Sequence, residues 1–127
     1  QVQMGTRFAL TDESSASDIF KEYCLRLNEG DTKLLLKKLA PTRLVTNSFR
    51  DRVEAAEGRG ASAEELRELL GRGRAKKGIF EGDLEEGELE IGQVAALFRR
   101  RQSVDEVMKE LLEGYRRASD KIRSAGL

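Results

Sequence analysis

The chain has no histidine and no tryptophan among its 127 residues, and it contains a single proline and a single cysteine. Histidine is the commonest acid–base side chain near neutral pH and the commonest metal ligand, so its absence argues against such chemistry by this chain alone. One cysteine excludes a disulfide within the chain and is typical of a reducing compartment, which predicts a cytoplasmic location.

The sequence also lacks an excess of charge of either sign and any long apolar run. Lysine and arginine number 23, aspartate and glutamate also number 23, and the formal net charge is zero. General nucleic-acid binders carry a basic surplus, so we expect no nucleic-acid partner. No apolar run approaches the roughly 20 residues that span a bilayer, and no signal peptide opens the chain, so we expect no membrane partner.

What is present predicts a mainly α fold, with about five helices following one N-terminal strand. Gln1-Val2-Gln3-Met4 alternates polar and apolar residues, which is typical of a strand, and it runs into Gly5. A lone strand leaves its backbone hydrogen-bonding groups unpaired, and the sequence supplies no obvious neighbour for it. We therefore expect the chain to be a fragment of a larger protein.

The helices are predicted from apolar residues at helical spacing and from capping residues. Ser15 or Ser17 is the expected N-cap of the first helix, and capping boxes at Ser62–Glu65 and Ser103–Glu106 begin two later ones. The apolar positions form five stripes: Ile19, Phe20, Tyr23, Cys24 and Leu27; Leu44, Val45, Phe49, Val53 and Ala56; Leu66, Leu69 and Leu70; Ile91, Val94, Leu97 and Phe98; and Val104, Val107, Met108, Leu111, Leu112, Tyr115, Ala118 and Ile122.

The segments between these stripes carry weaker signals. Residues 32–36 are predicted to be extended, and Pro41 is placed in the first turn of the second helix, where proline is tolerated. Residues 75–80 are predicted to form a short helix, and the acidic run 81–90 is predicted to be a loop.

The corner Gln3-Met4-Gly5-Thr6 is the first candidate site. A strand that ends in glycine and threonine offers unshielded backbone N–H groups and a hydroxyl, which together can hold a phosphate. The alternative interpretation is a plain glycine turn at the end of a strand.

The charged clusters have structural interpretations beside functional ones. The basic stretch Arg72, Arg74, Lys76 and Lys77 could meet a phosphorylated ligand, but solvated charge around a glycine loop and a helix end is the favoured interpretation. Arg99-Arg100-Arg101 is predicted to complement a helix C-terminal dipole. The acidic residues of the 81–90 loop miss the spacing of an EF-hand, so we expect no metal; they are Glu81, Asp83, Glu85, Glu86 and Glu88.

Two further reactive side chains lie on predicted apolar stripes. Cys24 is expected to be a buried structural thiol, and Tyr115 is expected to pack in the core. Neither is a candidate catalytic residue, and none is identified elsewhere in the chain.

Several motifs occur in the order seen in one known family. The segment VQMGTRF at residues 2–8 is the most specific, and Glu13-Ser14 and Phe20-Lys21-Glu22 follow it. RLVTNSF at residues 43–49, EGDLEEG at 81–87 and Gly92-Gln93 continue the match. From Gln1 to about Tyr115, the chain resembles the nitronate monooxygenase (2-nitropropane dioxygenase) family, which includes the FMN-dependent enoyl-ACP reductases.

The resemblance implies a parent TIM barrel with an added helical region. Residues 1–8 would be the end of the last barrel strand with its phosphate-binding corner, and residues 9–127 a largely helical C-terminal segment of the same domain. Gln3, Met4, Gly5 and Thr6 would help to hold the FMN phosphate, and Gln93 would approach the substrate side. The implied partners are the remainder of the barrel and a small-molecule substrate, with NAD(P)H as a possible reductant and self-association left open.

The sequence departs from the family pattern at three points. Ile91 replaces the alanine before Gly92-Gln93, and Phe20 replaces the tyrosine of the Y-K-E motif. The family's catalytic histidine has no counterpart here, because the chain contains none.

Two functional hypotheses therefore follow from the sequence. In the first, the chain is the C-terminal part of a flavin-dependent oxidoreductase and is inactive alone, with nitronate oxidation and enoyl reduction both open. In the second, it is a self-contained helical interaction module without catalysis.

Overall fold

A computed structural model describes residues 2–126. Within this range the fold is mainly α, as predicted, and it includes one small antiparallel sheet. The elements in chain order are α1 (Thr6–Ala9), α2 (Asp18–Cys24), β1 (Thr32–Leu35), β2 (Thr42–Val45), α3 (Ser48–Gly58), α4 (Ala63–Leu70), a π-helix (Lys76–Phe80), a 3₁₀-helix (Gln93–Leu97) and α5 (Val104–Ser124).

The N-terminal strand is not observed among the described residues. Val2, Gln3 and Met4 belong to no helix or strand, and Gln1 lies outside the described part. Thr6–Ala9 is a helical turn. A strand requires a hydrogen-bonding neighbour, and no described residue pairs with this segment, so the prediction is wrong for the chain by itself.

Local capping signals are confirmed at three helices. The Ser17 hydroxyl accepts a hydrogen bond from the Phe20 N–H at 3.1 Å and begins α2. Both predicted capping boxes form, at Ser62 before α4 and at Ser103 before α5. The extended segment after α2 is also confirmed, as strand β1.

The second predicted helix is wrong in its first half. Residues 42–45 form strand β2, which pairs with β1 in a hairpin with Thr32 opposite Val45 and Leu35 opposite Thr42. Pro41 precedes this strand and is not in a helix. Helix α3 begins only after Asn47, whose side chain accepts a hydrogen bond from the Arg50 N–H.

Strand β2 divides the interior into two apolar clusters. Adjacent residues of a strand point to opposite faces, and Leu44 and Val45 are both buried on different sides. Val45 packs in a cluster that also contains Phe20 and Cys24 from α2. Leu44 packs in a second cluster, with Phe49 of α3 and other residues of α3 and α4.

The apolar faces predicted for the last two helices are largely uncovered. Val107 is the buried residue of α5, whereas Tyr115 is 73% exposed, so its predicted core position is wrong. In the 3₁₀-helix, Ala95 is buried and Leu97 is 76% exposed. The helical spacing was correct, but among the described residues only the start of α5 is buried against other elements.

The remaining segments follow the predictions more closely. Residues 76–80 form a helical segment of π type, and residues 81–90 form a loop that ends in a bridge between Glu90 and Leu44. None of the helices in the described residues has the length and apolar character needed to cross a membrane.

Candidate functional site

The predicted phosphate corner lies at the start of α1. Gln3 and Met4 are exposed, and Gly5 is the residue that precedes the helix, with φ −104°. The Thr6 hydroxyl accepts a hydrogen bond from the Gly92 N–H at 3.0 Å. The fold therefore brings together two motif segments that are far apart in the sequence.

The approach of Gly92 to Thr6 leaves no room for a side chain. A Cβ at position 92 would lie 2.5 Å from the Thr6 oxygen. Because the hydroxyl accepts from Gly92, its own hydrogen stays available to donate. Gly92 thus holds Thr6 in place and orients its free donor.

Gly5 shows the opposite situation. A Cβ at this position would meet no described atom within 4 Å, and the φ angle is negative. Neither packing nor backbone conformation within the described chain explains a glycine here. The first N–H groups of a helix have no partner inside it, and no side chain caps this end of α1. These features fit the close approach of a phosphate oxygen.

The Arg7 side chain is committed to the protein itself. Its guanidinium pairs with Glu110 of α5 at 2.6 Å, donates to the Gln102 side chain and lies 4.5 Å from the centre of the Phe98 ring. Arg7 therefore fastens α1 to α5, and it is not a free cation of the corner.

Arg43 in β2 lines two hollows. The first, which we call the corner hollow, has a volume of about 480 Å³ and is lined by Gly5, Thr6, Arg43, Glu90 and neighbouring residues. Its position connects the predicted corner with strand β2. Sequence reasoning did not select Arg43 or Glu90 as site residues.

The second hollow, which we call the hairpin hollow, has a volume of about 640 Å³. It is lined by Gln93 together with Arg43, Thr32, Val94 and Arg99, among others. Gln93 is exposed and lies beside Gly92, so it is next to the corner in the chain but faces a different hollow.

The RLVTNSF motif serves the fold through Asn47. The side-chain oxygen of Asn47 caps α3 by accepting from the Arg50 N–H at 2.8 Å. Its side-chain nitrogen donates to the carbonyls of Leu84 and Gly87 at 3.0 and 2.8 Å. One asparagine therefore joins the start of α3 to the acidic loop.

The EGDLEEG motif closes that loop on itself. The Asp83 carboxylate accepts from the N–H groups of Glu85 and Glu86, which lowers the pKa of Asp83, chiefly through the bond from Glu86. Gly87 lies against Gly78, where a Cβ on Gly87 would be 2.2 Å from the Gly78 Cα. These residues shape the backbone.

The basic stretch after α4 is also structural. Arg74 lies 4.4 Å from the centre of the Phe49 ring and donates to the carbonyls of Leu70 and Glu86, each at 2.7 Å. Lys77 pairs with Asp83 at 3.1 Å. These contacts support a structural role, but Arg74 is half-buried and bonded within the fold, whereas the sequence predicted solvated charge.

The three arginines at 99–101 have separate roles. Arg99 donates to the Leu27 carbonyl, beyond the end of α2, at 2.7 Å. Arg100 pairs with Glu110 at 3.0 Å and Arg101 pairs with Asp18 at 2.9 Å. The helix-dipole prediction is therefore wrong for Arg100 and Arg101, because each is neutralised by a carboxylate.

Two buried groups have strongly displaced pKa values. Burial raises the pKa of Cys24 to about 12, and its side chain is fully buried, as predicted for a structural thiol. Burial, followed by the charge of Glu90, raises the pKa of Glu88 to about 7. The sequence singled out Glu88 only as part of an acidic run, because its burial depends on the tertiary fold.

Comparison with known proteins agrees with the motifs. The nitronate monooxygenase family matches residues 1–114. The structure is similar to FabK from Thermotoga maritima, with a TM-score of 0.85 and 29% sequence identity, covering 97% of this chain and 39% of that one. A point mutant of the same FabK gives a TM-score of 0.78 at 26% identity, covering 97% and 36%. No curated protein matches the chain.

The chain thus spans less than two-fifths of the FabK chains that it matches. The family match includes the corner, the Asn47 motif, the acidic loop and Gly92-Gln93. Together with the contacts that join these segments, it establishes that the chain belongs to the nitronate monooxygenase family.

Proposed function

We propose that this chain supplies part of the FMN phosphate site of a flavin-dependent oxidoreductase and is inactive without the rest of that site. Family membership and the similarity to FabK support the proposal. A TIM barrel requires about 250 residues, so most of the parent barrel would lie outside this chain. Val2–Met4 has no strand partner among the described residues, as we expect if its neighbours belong to the barrel.

The observation that carries the proposal is the open space at Gly5 beside a fixed Thr6 hydroxyl. The Gly5 and Thr6 N–H groups and the Thr6 hydroxyl would bind phosphate oxygens. Exposed Gln3 and Met4 would flank the cofactor's entry to the corner. When bound, FMN supplies the redox chemistry, and these residues bind and orient it.

The proposal covers nitronate oxidation and enoyl reduction alike. The chain has no histidine to act as an acid or base, so proton transfer at the substrate would fall to residues outside it. A reduced nicotinamide would be needed only for the reductase reaction. Gln93, exposed next to Gly92, is the residue of this chain proposed to approach the substrate.

The test measures FMN binding by the full-length protein that contains this chain. Gly5→Ala should weaken FMN binding about tenfold, because its methyl group enters the space through which a phosphate approaches the N–H groups. Gly58→Ala is the matched control, since a Cβ at Gly58 would likewise meet no described atom within 4 Å and its φ is not positive.

Equal FMN affinity of the Gly5→Ala variant and the wild-type protein would contradict the proposed corner. The isolated 127-residue chain should show no NAD(P)H oxidation and no nitronate oxidation with added FMN. Robust turnover by that chain would refute the proposed dependence on further residues.

A further inference from the structure

The hairpin hollow has two arginines in its wall, Arg43 and Arg99. Among the described residues, neither Arg43 nor Arg99 forms an ion pair, although Arg7, Arg100 and Arg101 nearby are all paired with acidic side chains. Arg72 and other surface arginines of the described chain also form no ion pair, so what distinguishes Arg43 and Arg99 is that both line one concave site.

Both arginines are held in position by hydrogen bonds to other parts of the chain. Arg43 donates through Nη1 to the Thr32 hydroxyl at 3.3 Å, across the β-hairpin. Arg99 donates through Nη1 to the Leu27 carbonyl at 2.7 Å. Each guanidinium has five N–H donors, so both keep donors that these bonds do not use. Fixed donors lose little entropy when an anion binds.

The same hollow also has apolar lining residues. Val94 and Leu97 are 42% and 76% exposed, and both line it. Glu29 also contributes to the wall, so two positive charges and one negative charge face the space. A ligand with an anionic head and an apolar body matches this arrangement. The volume of about 640 Å³ lies within the ordinary range for small-molecule sites.

We propose that the hairpin hollow, which adjoins the corner hollow through Arg43, is an anion subsite distinct from the phosphate corner at Gly5 and Thr6, in which Arg43 and Arg99 bind a phosphate group of an amphiphilic ligand. Val94 and Leu97 contact the apolar part of that ligand. Gln93 lies in the same wall, so the subsite would receive the substrate in the proposed oxidoreductase. Only this last assignment to substrate rests on the proposed function.

The test is calorimetric titration of the full-length, FMN-loaded protein with inorganic phosphate and with octyl phosphate. Octyl phosphate should bind more tightly, and Leu97→Ser should remove its advantage. Arg43→Gln and Arg99→Gln should each weaken binding of both probes about tenfold, because each removes a hydrogen-bonded charge. Added NaCl should weaken binding, since the contacts are electrostatic.

The controls separate charge loss from loss of folding. Arg72→Gln is the matched control, because Arg72 is exposed and lies outside the hollow. Arg43→Lys keeps the charge and loses the planar fork, so it should retain part of the affinity. If Arg43→Gln alters the circular dichroism spectrum, the exposed Arg99→Gln variant carries the test.

Unchanged phosphate affinity in both arginine variants would overturn the proposal. Displacement of FMN by the probes would place them in the corner and would also overturn it. Tighter binding of ADP than of octyl phosphate would contradict the apolar wall. If FMN fails to bind but octyl phosphate binding still depends on Arg43 and Arg99, the proposed function fails and the subsite stands.

Discussion

Asn47 is expected to contribute more to stability than its partial exposure suggests. Asn47→Ala removes the cap of α3 and two side-chain hydrogen bonds to the carbonyls of Leu84 and Gly87. A lost cap costs about 1 kcal/mol and each further bond about 1 kcal/mol, so the free energy of unfolding should fall by about 3 kcal/mol. Urea denaturation monitored by circular dichroism measures this change.

Asn47→Asp tests the reasoning more sharply. Aspartate caps helices well, so the bond from the Arg50 N–H would survive. Its carboxylate cannot donate, however, and it would face two carbonyl oxygens where the amide N–H groups now lie. The aspartate variant should therefore be at least as unstable as the alanine variant. Asn28→Ala is the control, because Asn28 is exposed. Wild-type stability of Asn47→Asp would refute the role assigned to the two carbonyl bonds.

Two further predictions concern the acidic loop. Gly87→Ala should lower the free energy of unfolding in urea by roughly 3 kcal/mol or more, because its methyl group would lie 2.2 Å from the Gly78 backbone. Gly58→Ala is the control and should not destabilise the fold. Equal stability of the two variants would contradict the close approach. Because the pKa of Glu88 is raised from 4.5 to about 7 in the folded state, its contribution to stability is full below pH 4.5 and is lost as the pH rises through 7. Glutamine cannot ionise, so the melting temperature of Glu88→Gln should fall less than that of the wild type as the pH rises over that range. If the two melting temperatures change in parallel with pH, Glu88 does not cause the pH dependence of stability.

The capping residues were predictable from sequence because cap chemistry is local. Ser17, Ser62 and Ser103 each lie within three residues of the N–H group that they satisfy. The interactions need no information about distant segments, so the starts of α2, α4 and α5 were correctly predicted.

Strand β2 was missed because the apolar residues of a strand, a turn and a helix together have the spacing of a single helix. Leu44 and Val45 belong to the strand, and Phe49 and Val53 belong to α3, yet their spacing fits a single apolar stripe. Asn47, a strong N-cap residue in the middle of that stripe, was the signal that marked the real helix start.

Helix α5 shows a different limit of sequence analysis. Periodicity identifies which residues share a face, but not whether anything covers that face. Val107 meets the body of the structure, whereas Met108, Leu112 and Tyr115 on the same side are exposed. Whether a helix face is buried depends on the tertiary structure, and a buried face and an exposed one can show the same sequence pattern.

The site was predictable only in part for the same reason. The corner was identified from Gly5 and Thr6, which are adjacent, but the contact of Thr6 with Gly92 spans 86 residues. Arg43 and Arg99 each look like ordinary surface charge in the sequence. They become candidates because the hairpin and the segment after Gly92 both line one hollow.

The motifs that link this chain to its family divide by what their residues do within the described structure. Asn47 holds two backbone segments, and Gly87 is required because another backbone lies against it. Gly92 is required by the nearby Thr6 hydroxyl. Gly5 has no such requirement, since its φ is negative and the space around it is open. Gly58 shares these two properties, so an open glycine alone does not mark a site. Gly5 differs because it adjoins the Thr6 hydroxyl that Gly92 holds in place, and that combination favours the corner over the acidic loop for the phosphate hypothesis.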